Sequence, residues 1–534
     1  MFKTADGKSY GITFLLVSFL FPLWAICNGM IDAMDKHFQD FYHLSKAESA
    51  NVQFSHYLGY FFMAMPSGWL VRKLGYKGGI VIGLLIAAAG CLWFFPATRI
   101  DGFWAVLVAV CVTAMGLTFL ETVANPYTTV LGSPRYASAR INLAQSFNAV
   151  GWPLGPFIGG LFFYSAIKGT HQEQVNAAHQ TLWVPYAAIA IIAVVLAAIF
   201  LKSKMPEPGS GELATADVEI DLPPEVVAKT SLWVPILLFI NVCFLGFALG
   251  MIVRFFAQIF YMDKATLADP EAMKALGIRL DYVFWVSSSV FFALGMALFL
   301  GKRKALSASH SIWAHPHFSA ATIAQFLYVA AQAGIFSFFI NYVVEDMPAI
   351  GESLKSAWFI GGDAGSIFRN GAWHVSDQGA TKLLSYFGFI LFLIGRYTGA
   401  LILKRTSAHK MLGLYSLINV ILMIVIVAKL QWLSVVALFL SFFFMSIMFP
   451  TIFALGIFGL GATKAKSASP FIVMAIMGGA VLPKVMGAIG DRDGMSAGFI
   501  VPAVCFAAIA FYGFFWSKLS GSDGLVGADV SKGH

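Results

Sequence analysis

The stretch Leu120-Glu121-Thr122-Val123-Ala124-Asn125-Pro126-Tyr127 lies inside an apolar run, residues 103–131, long enough to cross a bilayer. Glu121 is the only acidic residue in that run. A charged carboxylate near the bilayer centre costs roughly 2.5–3.5 kcal/mol on insertion scales. Low dielectric disfavours the ion, so a group placed there can take up and release a proton as its surroundings change. The plainer reading is a carboxyl kept permanently neutral or hydrogen-bonded to a neighbouring helix. Ionisable residues inside membranes are functional by default, which makes Glu121 a candidate proton carrier.

The rest of the chain has the same character. Hydrophobic residues make up 59% of the 534 and charged residues 12%, and mean hydropathy is +0.77. Soluble proteins carry about 25% charged residues, so the chain is an all-α polytopic membrane protein. Its net charge of +8 does not imply a nucleic-acid partner, because the basic residues fall in short loops between spans. The five cysteines, Cys27, Cys91, Cys111, Cys243 and Cys505, all lie in or at apolar runs without a C-x-x-C pair. Neither a disulfide framework nor a metal site is implied. The short N-terminal segment leads into a span without a small-residue cleavage site, which reads as a retained first helix.

Runs of the required length occur at residues 11–34, 52–71, 79–96, 103–131, 141–165 and 182–201. A polar, proline-containing linker follows, and then two further runs at 232–261 and 282–300. Six more lie at 318–344, 383–403, 411–427, 433–457, 469–489 and 497–516. The expected organisation is a six-helix bundle over 1–201 and a cytoplasmic linker over 202–231. An inserted hairpin with a cytoplasmic loop covers 232–317, a second six-helix bundle 318–520, and a disordered glycine-rich tail 521–534. The total is about fourteen spans.

Basic residues set the orientation. One side carries Arg72, Lys73 and Lys77; Arg135 and Arg140; Lys302, Arg303 and Lys304; Lys404, Arg405 and Lys410; Lys464 and Lys466. The opposite short loops carry only Arg99, Lys168, Lys429 and Arg492. The rich side is read as cytoplasmic, with both termini inside.

A weak internal repeat relates the two sets of six. The loop Gly68 to Lys77 is echoed by Gly399 to Lys410, Asn125-Pro126 by Phe449-Pro450, and Gly155-Pro156 by Gly478-Gly479 with Pro483. Two six-span halves in parallel repeat describe a major-facilitator transporter, its substrate held between the halves near the midplane. The two extra runs start and end on the cytoplasmic side, so they insert as an accessory hairpin without inverting either half. Arg254, inside the first of them, reads as a snorkelling or neighbour-paired residue.

Polar residues inside the spans mark the candidate site. Asp32 lies one helical turn after Asn28 in span one, and the two project from one face. His56 in span two is either a hydrogen-bonded structural residue or part of a proton route. Gln145 and Asn148 share a face of span five; Gln325, Tyr328 and Gln332 share a face of span seven, with Asn341 further along. Amides are costly in hydrocarbon unless paired. Interhelical glue accounts for one per helix, at about 0.6 kcal/mol per bond. Two amides and a tyrosine on one stripe fit a wet cavity better. A sugar suits such a cavity, because each hydroxyl both donates and accepts, and rings such as Trp24 and Phe336 can cover its apolar face.

These residues resemble the fucose–galactose–glucose:proton symporter family of the major facilitator superfamily. The matching strings are Leu23-Trp24 with Asn28 and Asp32; Gly59-Tyr60-Phe61 with Pro66-Ser67-Gly68; Gly75-Tyr76-Lys77; Leu120 to Tyr127; Asn142-Leu-Ala-Gln145-Ser-Phe147-Asn148; Phe449-Pro450-Thr451-Ile-Phe453; and Phe471-Ile-Val-Met474. The resemblance implies proton coupling and sugar binding through two membrane carboxylates, here Asp32 and Glu121, and places the family's span-five glutamine on Gln145. This chain has Asn28-Gly29 where the fucose branch has two asparagines, and Asn341-Tyr342 where that branch has a basic residue before tyrosine. The first departure removes the second asparagine's sugar contact from what the resemblance implies; the second leans towards glucose, galactose or N-acetylglucosamine, with L-fucose as the further candidate.

The expected cycle is monosaccharide uptake by alternating access. Glu121 takes a proton; sugar then binds between Trp24, Asn28, Asp32, Gln145 and Asn148 on one side and Gln325, Tyr328, Gln332 and Asn341 on the other. The loaded carrier rocks inwards and releases both. No cofactor or metal is expected; the coupling ion is the proton, with sodium as the alternative. A drug:proton antiporter of the same superfamily would have a greasier cavity. No P-loop, H-E-x-x-H or G-x-S-x-G string supports an enzyme. The expected setting is a bacterial inner membrane and a monomer, with sugar and the lipid bilayer as its partners and no nucleic acid or obligatory protein.

Overall fold

The computed structural model describes residues 9–520 apart from 50, 101, 132–136, 163–170, 206–232, 262–269, 307–310, 361, 404–405 and 459. Backbone polar groups find no water in a bilayer, so each span satisfies them internally as a helix. Span one is Gly11–Ser18 and, beyond Phe19, Leu20–Tyr42. Spans two and three share the segment Asn51–Ala97, divided at Gly75, whose φ of 72° is one that glycine adopts without strain. Spans four, five and six are Phe103–Val130, Ala137–Phe162 and Trp183–Lys202. The accessory hairpin is Trp233–Tyr261 and Pro270–Leu306.

Span seven is Pro316–Ser337, continued after Phe338 by Phe339–Glu345. Span eight runs through Asp377–Leu383, a π-helical turn Leu384–Phe389, and Ile390–Ile402. Span nine is Ala408–Val427, and span ten is broken into Trp432–Met445 and Met448–Ile457. Span eleven joins Gly461–Met474 and Gly478–Asp493 through a short 3-10 turn; span twelve is Ile500–Ser520.

Among the described residues, 12 helical stretches are long and apolar enough to cross a membrane. They include both hairpin helices and every expected span except two and five. Those two are helical throughout, and their lower hydropathy has a cause. Span two carries Gln53, Ser55 and His56, and span five Gln145 and Asn148, all buried against protein. With them the count is the fourteen expected.

The two halves repeat the same packing. Span one lies on span five, with Gly155 against Gly29; span seven lies on span eleven, with Gly478 against the backbone of Phe326. Span two crosses span four where Gly59 meets the backbone of Cys111, and span eight crosses span ten where Gly395 meets Phe443. Small residues at such crossings let helix backbones approach closely, which drives association where lipid removes the hydrophobic incentive. Span six shows the division of faces. Ala190, Ala193 and Ala197 are buried, while Ile191, Val195 and Ile199 are exposed on the lipid side.

The accessory hairpin packs on span seven. Asn241 Nδ2 donates to the Ser319 carbonyl at 2.9 Å, Thr322 donates to Asn241 Oδ1 at 2.7 Å, and the Phe244 and Phe326 rings lie 4.7 Å apart. Its second helix is the outermost, with Tyr282, Trp285, Leu294 and Leu298 exposed. Arg254 pairs with Asp281 at 3.0 Å inside the hairpin, the neighbour pairing expected of it. The loop between spans seven and eight folds into 3-10 turns and a two-stranded hairpin, β1 (Ser366–Arg369) and β2 (Ala372–Val375). Most of the expected linker, 202–231, and all of the tail, 521–534, lie outside the described residues.

Several helices outrun their apolar runs: the second hairpin helix starts at Pro270 and span eleven at Gly461, and span one is extended at its far end. The apolar run of span one ends near residue 34, but the helix continues to Tyr42. The extension is held by an aromatic cluster: Phe41 stacks on His179 with centroids 3.6 Å apart, and Phe38 and Tyr42 both meet Phe103. Packing against protein carries the helix past the point where lipid-compatible composition stops.

Candidate functional site

Glu121 sits in the middle of span four, 3% exposed. The hydroxyl of Tyr60 on span two is its polar neighbour. Asn28 and Trp24, one turn apart on span one, approach the same hydroxyl. Neither Trp24 Nε1 nor Asn28 Oδ1 completes a hydrogen bond. His56 precedes Tyr60 by one turn, its ring 5.1 Å from the tyrosine ring and its Nδ1 without a partner. Asp32 lies one turn beyond Asn28 on the same helix; its side chain is outside the described ones.

A second polar cluster begins one turn further along span four. Asn125 Oδ1 accepts from Gln145 Nε2 at 2.8 Å. Asn148 donates to the Phe21 carbonyl at 3.3 Å and accepts from Trp152 Nε1 at 3.1 Å. Arg396 of span eight reaches across from the other half. Its Nη1 donates to Asn148 Oδ1 at 3.1 Å and lies 3.4 Å from Gln145 Oε1; its Nε donates to the Ser446 carbonyl at 3.2 Å. That carbonyl is available because span ten breaks there. Beside it Trp152 stacks on Phe389 at 5.3 Å and meets Phe336 at 5.4 Å. Phe389 closes the π-helical turn of span eight, a feature frequent at functional sites.

The structure thus brings Glu121, Asn28 and Trp24 together around Tyr60, and Gln145 and Asn148 together around Arg396. The span-seven residues are placed differently from one another. Gln325 is fully buried with both amide atoms unpartnered, and Gln332 is buried two turns along the same face. The hydroxyl of Tyr328 donates to the Met445 carbonyl at 3.1 Å, which ties span seven to span ten. Asn341 donates to Gln39 Oε1 of span one at 2.8 Å, beyond the Phe338 break and at the far end of the bundle from the basic loops. Phe336 lies in the ring cluster rather than free.

Three members of the site were not singled out from the sequence. Tyr60 stood inside a matching string without a role. Trp152 is one of 13 tryptophans, with nothing local to distinguish it. Arg396 carried a readable signal, as the only charged residue in the run 383–403.

Two six-span bundles in parallel repeat, bridged across an amide cluster by Arg396 and carrying a buried acid in the first bundle, define the alternating-access class of secondary transporter. The family model of the Major Facilitator Superfamily matches residues 9–302. An L-fucose-proton symporter of Escherichia coli is 30% identical over 515 residues, 96% of this chain and 95% of that one. A glucose/galactose transporter of Brucella abortus is 27% identical over 516 residues, 97% of each chain. The crystal structure of the E. coli fucose:proton symporter matches with a TM-score of 0.59 at 27% identity, covering 96% of this chain and 100% of that one. This chain belongs to the Major Facilitator Superfamily and, within it, to the fucose–galactose–glucose:proton symporter family.

Proposed function

We propose that this protein carries a monosaccharide and a proton together into the cell. The observation that supports this most directly is the Glu121–Tyr60 contact, a buried carboxyl beside unpartnered polar atoms of Asn28 and Trp24. Glu121 takes the proton, and Tyr60 links it to span one. The sugar's ligands are Asn28, Trp24, Gln145 and Gln325, whose amide and indole groups lack partners or hold them only through other side chains. Protonation removes the charge that would resist closure in low dielectric, so the loaded carrier changes face while the half-loaded one does not. Each inward charge is driven by about 2.3 kcal/mol per 100 mV of membrane potential.

The relatives named as glucose/galactose and L-fucose carriers support the sugar class; Asn341 before Tyr342 favours glucose, galactose or N-acetylglucosamine. The neutral hydroxyl of Tyr60 beside the Glu121 carboxyl favours the proton over sodium as coupling ion. The lysine- and arginine-rich loops support a reading in which both termini lie in the cytoplasm of a bacterium and the chain spans the inner membrane. It works as a monomer, since both halves of the site lie in one chain, and it performs no covalent chemistry.

The test is sugar-induced alkalinisation of lightly buffered cells, with fucose, galactose, glucose, N-acetylglucosamine and a non-sugar control, each with and without sodium. A sodium-independent alkaline jump with one sugar is the expected result. Labelled-sugar uptake that requires sodium and gives no jump would replace the proton. No uptake of any sugar would remove the sugar reading.

A further inference from the structure

Among the described residues, Arg396 is a buried basic group in a membrane span that the cycle above does not use. It lies in span eight, 7% exposed, and all its hydrogen-bond acceptors are neutral. A buried guanidinium left without a carboxylate bears a large desolvation cost. Its three contacts on Nη1 are to Gln145 Oε1, the Gln145 carbonyl and Asn148 Oδ1, and its Nε is held by the Ser446 carbonyl. No described residue accepts a hydrogen bond from Nη2. The Phe392 ring lies 4.8 Å from Cζ, and the Tyr328 hydroxyl is an electrostatic neighbour.

The placement of these contacts narrows the role. A purely structural arginine of the second half would be satisfied within that half. This one has a single hydrogen-bond acceptor there, the Ser446 carbonyl, and its remaining hydrogen bonds go to Gln145 and Asn148 of the opposite half. One of those amides, Gln145, is a sugar ligand of the proposed cycle, which is the reading this inference rests on, and Asn148 lies one turn along the same face of span five. Guanidinium is rigid, planar and carries five donors. With Nε and Nη1 engaged, the Nη2 donors are available to the oxygens of a polyol lying against Gln145 and Asn148.

We propose that Arg396 is the sugar-binding residue contributed by the second half, donating from Nη2 to a hydroxyl of a neutral monosaccharide seated on Gln145 and Asn148. In the empty carrier it bridges the halves directly through those amides. With sugar present it holds the substrate from the face opposite span five, so one guanidinium reports occupancy to both bundles.

The test uses the full-length carrier and the sugar that the uptake panel identifies; failure of the wild type to take up any sugar would strike the parent reading and is seen before any variant is made. Binding is then measured by intrinsic fluorescence for R396Q and R396K, against the parent sugar and its monodeoxy analogues. R396Q should weaken parent-sugar binding by roughly 10- to 100-fold, the size of a lost charged hydrogen bond. R396K, which keeps the charge but not the fork, should weaken it less. One deoxy analogue should bind wild type and R396Q alike, because the hydroxyl that met the guanidinium is already gone. An equal loss for the parent and every analogue would overturn the proposal and leave Arg396 as a bridge between bundles. Unchanged binding in both variants would overturn it outright. R396K supplies the same comparison if R396Q does not fold.

Discussion

A carboxyl with one hydroxyl partner gives sharp predictions at the residue scale. Glu121→Gln preserves volume and a hydrogen-bonding group but cannot carry a proton. Proton-driven accumulation should be abolished while exchange of labelled for unlabelled sugar continues; accumulation against a gradient in this variant would remove Glu121 from the coupling step. Tyr60→Phe keeps the ring packing and deletes the hydroxyl that Glu121, Asn28 and Trp24 all face. A lost buried hydrogen bond costs about 1–3 kcal/mol, so uptake at subsaturating sugar should fall about tenfold or more, with membrane expression unchanged. Wild-type uptake in Tyr60→Phe would mean the hydroxyl is a bystander. Glu121 and Gln145 were legible in the sequence because a polar residue in an apolar run declares its cost. Tyr60 and Trp152 were not, since tyrosine and tryptophan are at home in membrane helices and only the neighbouring helix reveals their task.

Helix crossings govern the element scale. A Cβ on Gly155 would lie 2.6 Å from the Cα of Gly29, and one on Gly116 would lie 2.2 Å from the Ala87 nitrogen. Neither obstacle is a flexible side chain, so the helices must part. Gly155→Val and Gly116→Val should each destabilise the fold by about 1–3 kcal/mol, read as earlier thermal unfolding in detergent. Gly301→Ala, where nothing lies within 4 Å, is the matched control and should leave unfolding in place. Loss of stability in the control but not at the crossings would contradict the packing described. Apolar run length located every span, including polar spans two and five. It was blind to the breaks at Phe19 and Phe338 and to the π-helical turn at Leu384–Phe389, because a local break changes neither composition nor length. Span one ran on to Tyr42 for the complementary reason: its last turns are kept helical by contacts with His179 and Phe103 that no local pattern contains.

At the scale of the whole molecule, the repeat between the halves was readable, whereas the state in which they rest was not, because that depends on pairs drawn from distant parts of the chain. Three such pairs close the face remote from the basic loops. Asn341 donates to Gln39, the Ser385 hydroxyl donates to the Pro153 carbonyl, and Lys484 Nζ donates to Asn51 Oδ1 at 2.7 Å. Lys484 also meets Gln258 of the accessory hairpin at 3.3 Å, and Phe255 of the hairpin packs on Phe54 of span two at 4.6 Å. The hairpin, fastened to span seven at its other end, therefore touches both halves at this closure. Lys484→Met keeps the length of the side chain and removes its donors. Loss of a charged hydrogen bond, about 1.5–3 kcal/mol, should shift the balance of closed and open carriers by roughly ten- to a hundredfold. The shift can be read with Ser337→Cys in a cysteine-free background, since Ser337 is buried one turn before Asn341. An impermeant maleimide added outside should label that cysteine faster in the Lys484→Met carrier, and Gln258→Ala should produce a smaller acceleration in the same direction. Unchanged labelling with Lys484→Met would show that the closure stands without it. Slower labelling would show that the buried charge was holding the face open.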